Sequence, residues 1–312
     1  MYIKNFNELS KKDASIAGGK GASLGEMTQS GVSVPPGFVI LAKAFDRFLE
    51  ETDLDVEVEA ILKRAKHSDI HSVERASEEI QDLIRNAEFP KDIADEIQKS
   101  FASLKSPLVA VRSSATAEDS AVASWAGELE SYLNVTKVNL LESTKKCWAS
   151  LFTSRAIFYR FEKKMRDQKV SVAVVVQKMV QPEVSGIVFT VHPVTEDENQ
   201  LIIEAGYGLG EAIVGGMITS DTYVLSKKEG TILDKNISDQ TRMIARSPEG
   251  TKEVIVPKIK QNKQKLNDRQ IGELAEICQN IEKHYKKPQD IEWALGEGKF
   301  YIVQSRPITT LG

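Results

Sequence analysis

A change of hydrophobic period near Lys169 constrains the fold of this chain more than any other feature. Before it, apolar residues recur at helical spacing: Val73, Ala76, Ile80 and Ile84, then Ile93, Ile97, Phe101 and Leu104. Residues 140–164 read as a long apolar helix or helix pair carrying Trp148, Leu151, Phe152 and Phe158. After it, β-branched runs at 172–180, 186–190, 201–204 and 222–225 are separated by turn residues, the pattern of strands. One further helix, 269–286, turns Ile271, Leu274, Cys278 and Ile281 to one face, and the chain then closes on a hairpin, DIEWALGEGKFYIVQSR. The first forty residues read as irregular structure, a helix over 22–29, a Pro35-Pro36-Gly37 turn and a strand over 38–41. A strand over 108–111 feeds into Arg112. The expectation is an α+β chain: a helix-rich lobe over residues 1–183, a strand-rich lobe over 184–312, and a junction near 181–184.

Composition narrows the function classes. At 312 residues, 41% hydrophobic and 28% charged, the chain is long enough for one large or two modest cores. A net charge of −4 argues against general binding to nucleic acid or anionic membranes, which rests on a basic excess. The two cysteines, Cys147 and Cys278, fall in helical patterns and read as buried free thiols in a reducing compartment. No secretory pattern opens the sequence, and the longest apolar run, 172–176, is far too short to span a bilayer. A cytoplasmic protein is expected.

Three stretches carry chemistry. Residues 111–135 hold Arg112, the Ser113-Ser114 pair and Gly127 with little apolar periodicity. Guanidinium, hydroxyls and flexible backbone suit a polyphosphate, and a plain solvated loop is the competing reading. In the closing hairpin, strand alternation puts Ile291, Trp293 and Leu295 on one side and Asp290 and Glu292 on the other. Gln304 and Arg306 share a face of the returning strand, and a turn closing symmetrically over 296–298 is read to set Glu292 opposite Gln304. A carboxylate and an amide oxygen on one rigid surface suit Mg²⁺, with Arg306 placed to hold a phosphate; an exposed polar hairpin face is the alternative. Lys20, among Gly18, Gly19 and Gly21 before a helix, suits phosphate too, although the Walker A spacing is absent and a solvated turn lysine is the alternative of equal weight. Residues 206–210 (GYGLG) lack the third glycine of a dinucleotide fingerprint and read as a tight backbone turn beside a ligand or another strand.

Taken in order, GGKGASLGEM, VPPGFVI, VRSSATAED, WAGELESYLNV, VVVQKMV, SGIVFTVHPVT, YGLGEAIVGG and DIEWALG followed by VQSRP closely resemble the N-terminal ATP-grasp domain of the phosphoenolpyruvate synthase and pyruvate phosphate dikinase family. That family also contains rifampin phosphotransferase. The resemblance covers essentially the whole chain and implies an ATP-grasp fold, with the nucleotide in a cleft between two lobes. By it, Lys20, Arg112 and Arg306 contact the ATP phosphates and stabilise charge during transfer. Glu292 and Gln304 hold Mg²⁺, with Asp290 a further ligand or orienter. Gln177, Met179 and Val180 hold the adenine at the hinge, and Gly127 and Ser131 match phosphate-loop positions, where relatives often carry threonine at the place of Ser131.

The implied function is that of the ATP domain or subunit of a phosphoenolpyruvate synthase-like dikinase (pyruvate, water dikinase), a phosphotransferase inactive alone. It donates a pyrophosphoryl group from Mg-ATP to a histidine on a separate swivelling domain, with release of AMP. The compact VRSSATAED…WAGELES loop favours a synthase or antibiotic phosphotransferase over a dikinase using inorganic phosphate. His67, His71, His192 and His284 all lack the context of the phosphorylated histidine. That domain and an acceptor-binding domain are therefore expected as partners, in cis in a longer parent chain or in trans. The competing readings are a nucleotide-binding regulatory module without phosphotransfer, and the ATP domain of a pyruvate phosphate dikinase or rifampin phosphotransferase-like enzyme.

Overall fold

A computed structural model describes residues 1–116, 130–163, 170–247 and 250–309. It is a mixed α/β chain that divides into two compact units. The first comprises Met1–Glu26 and Pro36–Met179, the second Met27–Pro35 and Val180–Gly312. Among the described residues no helix is long and apolar enough to cross a membrane.

The first unit contains β1 (Ile3–Asn5), α1 (Ala14–Gln29, whose end passes into the second unit), β2 (Gly37–Ile40), α2 (Ala42–Glu51), α3 (Leu54–Arg64), α4 (Ile70–Asn86) and α5 (Lys91–Ser103). These are followed by β3 (Val109–Ala115), β4 (Ser131–Val135), α6 (Leu140–Ala149), α7 (Ser154–Glu162) and β5 (Val172–Lys178). Its sheet runs β1-β2-β5-β3-β4 with every pair antiparallel. Alternation sorts the side chains cleanly. Ile3, Phe38, Ile40, Val109, Val111, Ala115, Val135, Val172, Val174 and Val176 belong to one cluster with Phe45, Phe48, Ile80, Ile84, Ile93 and Ile97 of the helices. Trp148 anchors it, its ring 5.0 Å from Phe48 and from Phe89 and 5.6 Å from Phe45. β5 sits between β2 and β3, and Ala173 and Val175 on its other face are also fully buried. Burial on both faces explains the uninterrupted apolar run of its sequence.

The second unit contains β6 (Val184–Phe189), β7 (Gln200–Tyr207), α8 (Glu211–Val214), β8 (Asp221–Ser226), β9 (Ile232–Asn236), β10 (Arg242–Ser247), β11 (Gly250–Ile255), α9 (Lys258–Gln261), α10 (Asp268–Tyr285), β12 (Gln289–Gly296) and β13 (Lys299–Pro307). Its sheet runs β13-β12-β6-β7-β8-β9, and β10 and β11 form a separate hairpin. α10 starts in a capping box between Asn267 and Gln270 and buries Ile271, Leu274, Ala275, Cys278 and Ile281. Just ahead of it in sequence, Lys265 forms an ion pair with Asp221 at 2.8 Å, with both side chains inaccessible to solvent. The Asp221 carboxylate also accepts from Tyr223 Oη at 2.7 Å, Ser238 N at 3.0 Å and Lys265 N at 2.9 Å. A charge removed from water is held only with such complete hydrogen bonding.

Two local expectations change. The glycine cluster lies inside α1, which begins at Ala14 and is broken only at Gly18 (φ 68°, ψ 170°), so Lys20 sits in the first turn of a resumed helix. The stretch beginning at residue 111 is not a loop at its ends: Arg112, Ser113 and Ser114 are paired within β3, and 131–135 form β4. Residues 117–129 between them, Gly127 included, lie outside the described residues.

Candidate functional site

In the first unit, one face of the sheet carries the residues singled out in the sequence. Register pairs Arg112 with Val175 and with Ser131, Ala110 with Gln177, and Ser114 with Ala173. Arg112, Ser114, Ser131 and Gln177 therefore share the face opposite the apolar cluster. The resumed turn of α1 lies on that same face. A Cβ on Gly21 would stand 3.0 Å from Val39, which is paired with Val175. Lys20 and Arg112 are half-buried, Gln177 is buried and Ser131 is exposed. The Met179 N–H is donated to Leu108 O at 3.1 Å, continuing the sheet just past β5.

Lys20 and Glu130 both act on the Cys147 thiol, which lies under β3 with its Sγ–H directed to Val111 O at 3.6 Å. Burial pushes that thiol up to about 12; the Ser113 hydroxyl and Lys20 oppose the rise and Glu130 adds to it. The serine pair itself is used inside the fold. Ser113 Oγ lies 3.0 Å from Glu130 O, 3.2 Å from Cys147 O and 2.9 Å from Ser150 Oγ, and Ser114 Oγ accepts from Gly21 N at 3.2 Å. Both hydroxyls were read from sequence as phosphate donors. Both are almost fully buried, at 1% and 0% exposure, which removes them from that role.

In the second unit the hairpin places Glu292 opposite Gln304 and Asp290 opposite Arg306. Symmetry does not produce this pairing. The turn is the two-residue Glu297-Gly298, both at positive φ, between paired Gly296 and Lys299. Continued without interruption, that register would set Glu292 against Val303. A bulge instead leaves Val303 unpaired between Ile302 and Gln304, which brings the amide across from the carboxylate. The strand partners of Glu292 and Asp290 on β6 are Ile187 and Phe189, so half-exposed apolar side chains flank the polar group.

Arg306 donates to Asp290 through Nε at 2.9 Å and Nη2 at 2.7 Å. Burial pushes the Asp290 carboxyl up, Arg306 opposes this, and the neighbouring Glu292 carboxylate reinforces the rise. Two carboxylates and an amide oxygen on one face of the hairpin, with a guanidinium bonded to one carboxylate, form a donor set suited to a hard divalent cation. Mg²⁺ takes its remaining oxygens from phosphates and water, so Glu292 and Gln304 fit it as protein ligands. Asp290 is already engaged by Arg306, which favours an orienting role over direct ligation. Among the described residues no group of three or more His, Cys, Asp or Glu side chains gathers as a metal site, the hairpin contributing two carboxylates only.

Other motifs resolve structurally. At Gly208 (φ 88°) a Cβ would stand 2.4 Å from Ile244 O, so the glycine-rich turn admits β10. His192 Nδ1 accepts from Val194 N and Thr195 N, both at 3.2 Å, and holds a turn. A cavity of about 380 Å³ in this unit is lined by Val184, Tyr207 and Leu295, among others. Their side chains alternate away from Glu292, so it lies on the opposite side of the sheet.

The family model described as "Pyruvate phosphate dikinase, AMP/ATP-binding domain" matches residues 14–312. The chain is 46% identical, over 99% of its length, to a probable phosphoenolpyruvate synthase of Methanocaldococcus jannaschii, of which it spans 27%. It is 45% identical over its full length to the probable phosphoenolpyruvate synthase of Methanothermobacter thermautotrophicus, spanning 46% of that protein. To the rifampicin phosphotransferase of Bacillus subtilis it is 39% identical over 99% of its length, spanning 36%. With a family match running from α1 to the last residue, the chain belongs to the pyruvate phosphate dikinase AMP/ATP-binding domain family.

Proposed function

We propose that this chain is the ATP-grasp half of a phosphoenolpyruvate synthase-like dikinase, with two lobes divided near residue 183 and the nucleotide in the cleft between them. The single observation that carries the reading is the sorting of phosphate-type residues onto single faces. Lys20 and Arg112 share one side of the first sheet, and Glu292, Gln304, Asp290 and Arg306 share one side of the hairpin. Phosphoryl transfer asks a protein mainly for positioning and charge neutralisation, which three cations and a metal-binding pair supply.

In this reading Lys20 and Arg112 hold the phosphates from one lobe and Arg306 from the other. Ser131, opposite Arg112, and Gly127 match phosphate-loop positions, while Gln177, Met179 and Val180 receive the adenine. Glu292 and Gln304 hold Mg²⁺, which when bound neutralises phosphate charge, and Asp290 fixes the Arg306 guanidinium. The pyrophosphoryl group passes to a histidine on a separate swivelling domain, AMP leaves, and an acceptor-binding domain completes the reaction. Both further domains are supplied by a longer parent chain or in trans, in the cytoplasm. The relatives named as phosphoenolpyruvate synthases favour pyruvate as the eventual acceptor.

The test is a calorimetric titration of ATP into the purified chain with and without Mg²⁺, beside Glu292→Ala, followed by an AMP assay with a histidine domain from a relative. Metal-dependent binding weakened by the substitution, and AMP formed only when the histidine domain is added, is the expected result. Binding without AMP would assign a regulatory nucleotide module instead. ATP turnover by the chain alone at a comparable rate would overturn the half-reaction.

A further inference from the structure

We infer that Ser114 is a positioning residue that caps the Lys20 turn from the neighbouring strand and thereby fixes Lys20 relative to Arg112. The inference rests on the nucleotide reading above and deepens it.

The resumed segment of α1 begins with an unusual defect. Its first turn is Gly19-Lys20-Gly21, and the residue before it, Gly18, is the break at φ 68° and ψ 170°. The first backbone N–H groups of a helix have no partner within it and are ordinarily met by a Ser, Thr, Asp or Asn side chain at that preceding position. Gly18 has no side chain. Its place is taken by Ser114, whose Oγ accepts from Gly21 N at 3.2 Å. A Cβ built on Gly18 would stand 2.2 Å from that same Oγ and 2.3 Å from the Ser114 carbonyl oxygen. The missing side chain and the incoming hydroxyl therefore occupy one space, and the cap is delivered by another element of the fold.

The capping residue has a second connection. Ser114 and Arg112 are two apart in β3, on one face, so their Cα atoms are separated by only about 6.6 Å. β3 is held on both sides, by β5 and β4, and Ser114 is fully buried. A cap supplied by Gly18 would have tied the helix only to itself. A cap supplied by Ser114 ties the turn carrying one cation to the strand carrying the other, so the spacing of the two charges is set by a rigid sheet.

The test is a double-mutant cycle on the full chain, read by calorimetry with Mg-ATP and, separately, with adenosine. Ser114→Ala is expected to weaken ATP about five- to tenfold, the worth of one hydrogen bond, and to leave adenosine affinity unchanged. Ser114→Cys, which keeps a weak acceptor, is expected to fall between the two and stands in if the alanine variant does not fold. Lys20→Ala combined with Ser114→Ala is expected to bind ATP no more weakly than Lys20→Ala alone, because the serine acts through the lysine. Equal weakening of ATP and adenosine would reveal a merely structural residue and overturn the inference. Additive losses would overturn the positioning role while leaving Lys20 as a phosphate contact. Unchanged ATP affinity in Lys20→Ala would overturn the contact and the positioning role together.

Discussion

The two units hold comparable chemistry on very different supports. In the first, Arg112 lies in a sheet strand flanked on both sides, and the Lys20 turn is packed against that sheet through Gly21. In the second, Gln304 and Arg306 stand on β13, a sheet edge, with Arg306 exposed, and half-exposed Glu292 stands beside them on β12 between β13 and β6. Changes at the first site therefore disturb function and folding together, whereas changes at the second should separate them. A side chain that reaches the surface of a sheet is free to change without repacking a core; one enclosed beneath a packed helix turn is not.

The largest expected effect lies away from both sites and calibrates the comparison. Asp221→Ala leaves Lys265 buried without its counter-ion and should cost about 3–5 kcal/mol in urea unfolding monitored by tryptophan fluorescence. A loss below about 1 kcal/mol would show that the second unit reorganises around the lysine. Gly18→Ala comes next. It forces an L side chain into a glycine-only conformation and into the space of Ser114, with an expected cost of about 2–4 kcal/mol and weaker ATP binding in the same variant. If stability fell and ATP affinity held, the entanglement claimed for the first unit would be broken.

Glu292→Ala should show the opposite profile. Mg²⁺-dependent ATP affinity falls at least tenfold, about 1.4 kcal/mol, while thermal stability stays within about 0.5 kcal/mol of the parent. A melting temperature lowered as far as in Gly18→Ala would erase the distinction between the units. The smallest effect concerns the thiols. Burial raises both Cys147 and Cys278, so both should resist alkylation in the folded chain and react on denaturation. For Cys147 the sign is fixed: the unfolded thiol deprotonates near 9 and the folded one near 12, so its contribution to stability is complete below pH 9 and declines as pH rises towards 12. Rapid labelling of native Cys147 at pH 8 would show that the first unit opens beneath β3.

Much of this was legible in the sequence where one face is buried. The valines of β5 and the alternation of Ile291, Trp293 and Leu295 against Asp290 and Glu292 follow directly from burial. The hairpin β10–β11 was not legible, because most of its residues are exposed or half-exposed and no apolar alternation marks it. β1 is three residues long and gives no period to detect. The pairing of Glu292 with Gln304 was read from sequence, but the Val303 bulge that produces it was not, since a bulge changes register without changing composition. The serine pair was misread for a related reason. A hydroxyl beside an arginine in a stretch without apolar period looks available to a ligand, and only the register of β3 shows that Ser113 turns inward and Ser114 turns towards Gly18.

The route of the chain between the units has a consequence for how the protein can be taken apart. The second unit borrows residues 27–35 before the chain returns at Pro36, so the backbone crosses between units three times. A fragment beginning at Val180 would lack Ser33, whose carbonyl accepts from Ile302 N at 2.9 Å on the open side of β13. Without it, that strand offers its outer amides as a template for a strand from another molecule, and such a fragment should self-associate more readily than the intact chain. Dissecting this protein for structural work therefore calls for a grafted copy of the 27–35 segment, or for a permuted chain that keeps it beside β13.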